Sequence, residues 1–80
     1  MPKFYIHFRN GDTIAIDDTG LDVPGLQEAK AAAIESGREV LANNVKFNAD
    51  NPLTEITITD RTGVQVATIL AKDILPEPLR

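Results

Sequence analysis

From Pro24 to about Val45 the apolar positions recur with the period of a helix. Leu26, Ala29, Ala33, Gly37, Val40 and Leu41 share one stripe of a 3.6-residue wheel, with Ile34 at its shoulder. Gln27, Glu28, Glu35, Arg38 and Glu39 lie away from it. Alanines make the segment a good helix former. Pro24 suits a first helical turn, Asp22 an N-cap, and Asn43 and Asn44 a left-handed stop. Ala29, Ala33 and Gly37 are spaced by four, a ridge of small residues that admits a close neighbour. That neighbour is either the facing sheet or the helix of a second copy.

On both sides of the helix the period changes to two. Lys3 to Arg9 sets Phe4, Ile6 and Phe8 on one face and Tyr5, His7 and Arg9 on the other. Asp12 to Asp17 follows, with Ile14 and Ile16 on one face. Thr54 to Thr59 carries Ile56 and Ile58 inward, and Val64 to Leu70 gives a fourth strand. Glycines at Gly11 and Gly63 mark two hairpins. Matching apolar with apolar predicts three-residue loops at both, each ending in a left-handed glycine. Phe8 then faces Asp12, Ile6 faces Ile14 and Phe4 faces Ile16. In the second hairpin Asp60 faces Val64 and Ile58 faces Val66. Asp17-Asp18-Thr19-Gly20 reads as a turn leaving the sheet, and Lys46 to Pro52 as a loop anchored by Phe47.

The expected fold is α+β: ββαββ over residues 1–75, a four-stranded sheet with one helix on one face, and a flexible tail at 76–80. The first and fourth strands are the most apolar. Placing them centrally and parallel gives the order 2-1-4-3, the general plan of β-grasp-type domains. The predicted core is Phe4, Ile6, Phe8, Ile14, Ile16, Leu26, Ala33, Val40, Leu41, Ile56, Ile58, Val64 and Val66.

Composition narrows the chemistry. Eighty residues form a modest core, which association would reinforce. Cysteine is absent, which excludes a disulfide framework, a thiol nucleophile and a cysteine metal site and fits a cytoplasmic location. No signal peptide is recognised, and no segment approaches the ~20 apolar residues of a membrane span. A net charge of −4 argues against a nucleic-acid partner.

The opening also carries a resemblance. Phe4, Tyr5, His7, Arg9, Asn10, Gly11, the acidic pair Asp17 and Asp18, Gly20, Pro24 and the alanine run from Ala29 follow one pattern. Asp60, Gly63 and Val66 continue it in the second half. It resembles a family of short bacterial proteins of the α-proteobacteria, common in rhizobia, and departs from it at 43–53. The resemblance implies a domain of unknown function and carries over no catalytic residues.

The residues leave one candidate binding face, on the sheet side away from the helix: Tyr5, His7, Arg9, Thr57, Gln65 and Ile69, with Thr13, Ala15, Thr59 and Ala67 beside them. An ordinary amphipathic outer face is the simplest reading, and a partner surface the next. A nucleic-acid platform needs more aromatics and a basic surround. His7, the sole histidine, makes no zinc site alone, and as a base it would need an orienting carboxylate and a nucleophile. Asp12, Asp17, Asp18 and Asp22 lack the spacing of a calcium loop, and Ser36 lacks an elbow motif. The sequence thus points to no catalytic residue, metal or cofactor. The expected function is a non-catalytic, self-associating interaction or regulatory module, a homodimer with an unidentified protein partner and no membrane. The alternative is a small ligand-binding domain or enzyme using Tyr5, His7 and Arg9.

Overall fold

The computed structural model describes residues 1–75. Its elements are β1 (Lys3–Asn10), β2 (Thr13–Ala15), β3 (Leu21–Asp22), α1 (Leu26–Lys46), β4 (Glu55–Asp60), β5 (Gln65–Leu70) and α2 (Ala71–Ile74). The class is α+β, but the sheet has five strands and every pairing is antiparallel. Its order is β2-β1-β4-β5, with β3 also on β1. The expected order 2-1-4-3 with a parallel central pair is therefore corrected, and with it the β-grasp comparison. The tail expected at 76–80 lies outside the described residues.

The return from α1 explains the order. Twenty-one helical residues advance about 30 Å, enough to carry the chain along the whole of β1. The connection then docks on the far end of that strand. Asn10 Nδ2 donates to the Asn51 carbonyl (3.2 Å), Leu53 N–H to Asn44 Oδ1 (2.9 Å) and Thr54 N–H to the Arg9 carbonyl (2.8 Å). The chain thus re-enters beside Arg9, and β4 runs antiparallel to β1 with Ile6 opposite Ile58 and Phe8 opposite Ile56.

The first hairpin differs from expectation. Asn10 pairs with Thr13, Arg9 with Ile14 and Phe8 with Ala15. Only Gly11 and Asp12 form the loop, with φ +64° at Gly11, the geometry of a type II′ turn. The register places Ile14 on the outer face, and Ile14 and Ile16 are 39% and 62% exposed. The second hairpin forms the expected loop: Asp60 N–H donates to the Val64 carbonyl (2.9 Å), and Gly63 has φ +87°. A bulge between Ile58 and Thr59 then shifts the register, so Ile58 faces Ala67 rather than Val66, and Ile56 faces Ile69. Ala67 and Ile69 consequently point inward, and Val64 is exposed.

The core forms between the inner sheet face and the two helices: Phe4, Ala29, Ala33, Leu41, Leu53, Ile56, Ile58, Ala71 and Ile74. Ile6, Phe8, Leu26, Val40 and Val66 are half-buried around it. The small-residue ridge faces this core. A Cβ on Gly37 would come within 2.6 Å of Ile56 Cδ1 and 2.8 Å of Ile74 Cδ1. Helix α1 starts later and ends later than predicted. Gly25 rather than Asp22 stands at the N-cap, and Pro24 lies outside the helix. Past Lys46, the left-handed Asn48 (φ 51°) takes the stopping role expected of Asn43 and Asn44. Phe47 anchors nothing: it is 71% exposed beneath the Lys46 ammonium. Leu53 and Ile74 fill the place it was expected to take.

Candidate functional site

The outer sheet face is built in cross-strand rows. Tyr5, Thr59 and Gln65 form one row, His7, Thr57 and Thr68 the next, and Arg9, Glu55 and Leu70 the third, with Ile14 beside Arg9. Five of the six candidate residues lie here. Ile69 does not, because the bulge turns it to the core.

The polar heads on this face are held by neighbours. Arg9 Nε meets Glu55 Oε1 at 3.2 Å. Gln65 Nε2 donates to Thr68 Oγ1. His7 is fixed at both ring nitrogens: Nδ1 accepts from the Asp17 N–H (3.0 Å), and Nε2 lies 3.0 Å from Thr59 Oγ1. With Nδ1 an acceptor, the neutral ring carries its proton on Nε2 and donates it to the threonine. This polarity is the reverse of a nucleophile–base pair, where Nε2 must be free to take the hydroxyl proton and Nδ1–H must donate to an orienting carboxylate. Tyr5 is half-buried and partly screened: a Cβ on Gly20 would lie 3.0 Å from its Cε1.

Asp17 ties this arrangement together. Strand β2 ends at Ala15 and β3 starts at Leu21, which leaves the Ile6 N–H without a strand partner. Asp17 Oδ2 accepts it at 3.1 Å, and Oδ1 accepts from Thr19 and Gly20, both at 3.0 Å. Partial burial pushes the carboxyl up. The N–H groups of Gly20, Ile6 and Thr19 outweigh that and hold it below its ordinary value. Asp60 repeats the device. Its Oδ1 accepts from the Thr62 hydroxyl (2.6 Å) and from the N–H groups of Thr62 (2.8 Å) and Val64 (3.1 Å). The Thr62 hydroxyl foremost, with these N–H groups and that of Gly63, holds Asp60 low against the opposing effect of desolvation.

Sequence reasoning missed Asp17 as the anchor, although its signal is present. Asp17-Asp18-Thr19-Gly20 and Asp60-Arg61-Thr62-Gly63 are the same Asp-x-Thr-Gly turn. Among the described residues no three His, Asp or Glu side chains gather as metal ligands. Shallow, mostly apolar grooves are also present, the first of them reaching Asp17. One, between α1 and the β2 edge, is lined by Ile6, Phe8, Ala15, Ile16, Leu21 and Ala32. Another, lined by Leu41, Pro52, Leu53, Leu70 and Ala71, lies where β5 passes into α2.

Residues 3–72 match the family described as a domain of unknown function, DUF6894. The chain belongs to that family. The match spans β1 to the start of α2, so the DUF6894 match contains both Asp-x-Thr-Gly turns, the His7–Asp17 link and the helix ridge. No curated protein and no solved structure matches the chain. No helix among the described residues is long and apolar enough to cross a membrane.

Proposed function

We propose that this DUF6894 domain is a non-catalytic interaction module that works by self-association, as a homodimer in a bacterial cytoplasm. The observation that carries this reading is the split between a small core and the apolar surface left in water. Ile56 and Ile58 are the only large side chains fully buried among the described residues, whereas Ile14, Ile16, Val64 and Leu70 are 39%, 62%, 58% and 39% exposed. Fully burying a large aliphatic side chain is worth about 1.5–3 kcal/mol. Val64 and Leu70, at the β5 edge, are already partly covered, so a partner there gains a fraction of that from each, while Ile14 and Ile16 lie toward the opposite edge. The engaged state of His7 and Arg9 supports the non-catalytic part. The absence of cysteine and the resemblance to α-proteobacterial proteins support the compartment and the source. Sedimentation velocity over a concentration series tests the claim. A rise from monomer to dimer mass is expected, and monomer mass throughout would overturn it.

A further inference from the structure

The two edges of the sheet end differently. On the β1 side, β2 has three residues and β3 two, and the Asp17 turn separates them. Short, interrupted strands are a common way of blunting an edge. On the opposite side, β5 pairs with β4 along one flank, and no further strand among the described residues pairs with its other flank. Its six residues, QVATIL, contain no charge and no proline. The bulge disturbs only its start, near Val66, and the strand is regular from Ala67 to Leu70.

The hydrogen-bond alternation shows what this flank offers. Ala71 N–H donates to the Thr54 carbonyl at 2.9 Å. Counting back, Ile69 and Ala67 direct their backbone groups at β4, opposite Ile56 and Ile58. Thr68 therefore directs both of its groups outward, and Leu70 its N–H, the Leu70 carbonyl serving as the first acceptor of α2.

We infer that this edge pairs antiparallel with the same edge of a second copy, about a two-fold axis at Thr68. The inference rests on the self-association proposed above and names the surface that performs it. A two-fold axis through a residue sets each residue against one from the same sheet face; an axis between residues would set inward Ala67 against outward Thr68. Thr68 is the midpoint of residues 66–70, between the bulge and α2. In this register Thr68 faces Thr68 and Ala67 faces Ile69, while Val66, turned to the core by the bulge, stands outside the regular pairing. The antiparallel arrangement also brings exposed Val64, just before the strand in one copy, toward exposed Leu70 at its end in the other. Each copy carries a net charge of −4, but none of it sits on the strand, so closest approach involves no like charges.

Charge substitution at the axis tests the register. Thr68 is exposed, so Thr68→Lys and Thr68→Glu leave the core untouched, which circular dichroism and thermal melts verify. In sedimentation at about 10–500 µM, each variant alone is expected to weaken dimerisation at least about tenfold, and a one-to-one mixture to restore it. Thr68→Pro removes an outward N–H without touching the β4 ladder and is expected to be monomeric. Variants that dimerise like wild type, or a mixture that stays monomeric, would overturn the β5 interface alone. A wild-type monomer at the highest concentration would overturn the self-association reading itself.

Discussion

Asp17 shows how much one side chain organises. Its carboxylate stands in for a strand at the Ile6 N–H, closes its own turn through Thr19 and Gly20, and its N–H orients His7. Asp17→Ala leaves three amides without this acceptor and is expected to cost about 1–3 kcal/mol in denaturant unfolding. The pH dependence follows from the direction of the shift. A folded-state value below the unfolded 3.8 means that stabilisation is complete above 3.8 and is lost as pH falls through the folded value. Wild-type unfolding followed from pH 7 to about pH 2.5 should lose its advantage over Asp17→Asn in that acid window. A constant difference would show that the carboxylate charge plays no part. Gly63 isolates a backbone effect, because a Cβ there meets nothing within 4 Å while φ is +87°. Gly63→Ala should therefore destabilise by about 1–2 kcal/mol, and Gly63→Asn by clearly less, since asparagine tolerates the left-handed region. Equal costs would point to a clash instead.

At the scale of elements, periodicity was legible where packing decides and misleading where the backbone decides. The stripe on α1 gave the helix and its buried ridge. The ridge serves the sheet and α2, with Ile56 and Ile74 lying over Gly37. Gly37→Ala gains about 1 kcal/mol of helix propensity but forces two buried methyls apart, at about 1–3 kcal/mol. A net loss in melting temperature is expected, and Ile56→Val, which deletes the nearer methyl, should recover part of it in a double-mutant cycle. Additive effects would show that the contact is not the cause. Matching apolar with apolar failed in the first hairpin. Main-chain geometry at Gly11 and the grip of Asp17 on β1 set that register, at the expense of leaving Ile14 and Ile16 in water. The second hairpin kept its predicted loop, but no residue type signals the Val66 bulge that turned Ile69 inward. Leu53 escaped because it stands alone in a polar stretch, and Ile74 because the four residues of α2 are too few to show a period.

At the scale of the whole molecule, the strand order depends on where a 21-residue helix delivers the chain, which hydrophobicity does not encode. The outer face was legible as residues, with Tyr5, His7, Arg9, Thr57 and Gln65 placed as expected. Its internal engagement was not, because the His7 contacts come from a turn ten residues away and a strand fifty-two away. If pairing at β5 contributes to stability, the melting temperature should rise with protein concentration by mass action for wild type and stay level for Thr68→Lys. Parallel curves for the two would exclude that contribution. The interrupted edge of β1 then has a consequence best put in the language of polymerisation. A unit joinable at both ends grows without limit, whereas a unit joinable at one end can only couple and stop. With one border of the sheet broken into β2, a carboxylate and β3, a domain that pairs through β5 as proposed would be a monofunctional unit, a chain terminator for any fibre that β5 could otherwise begin.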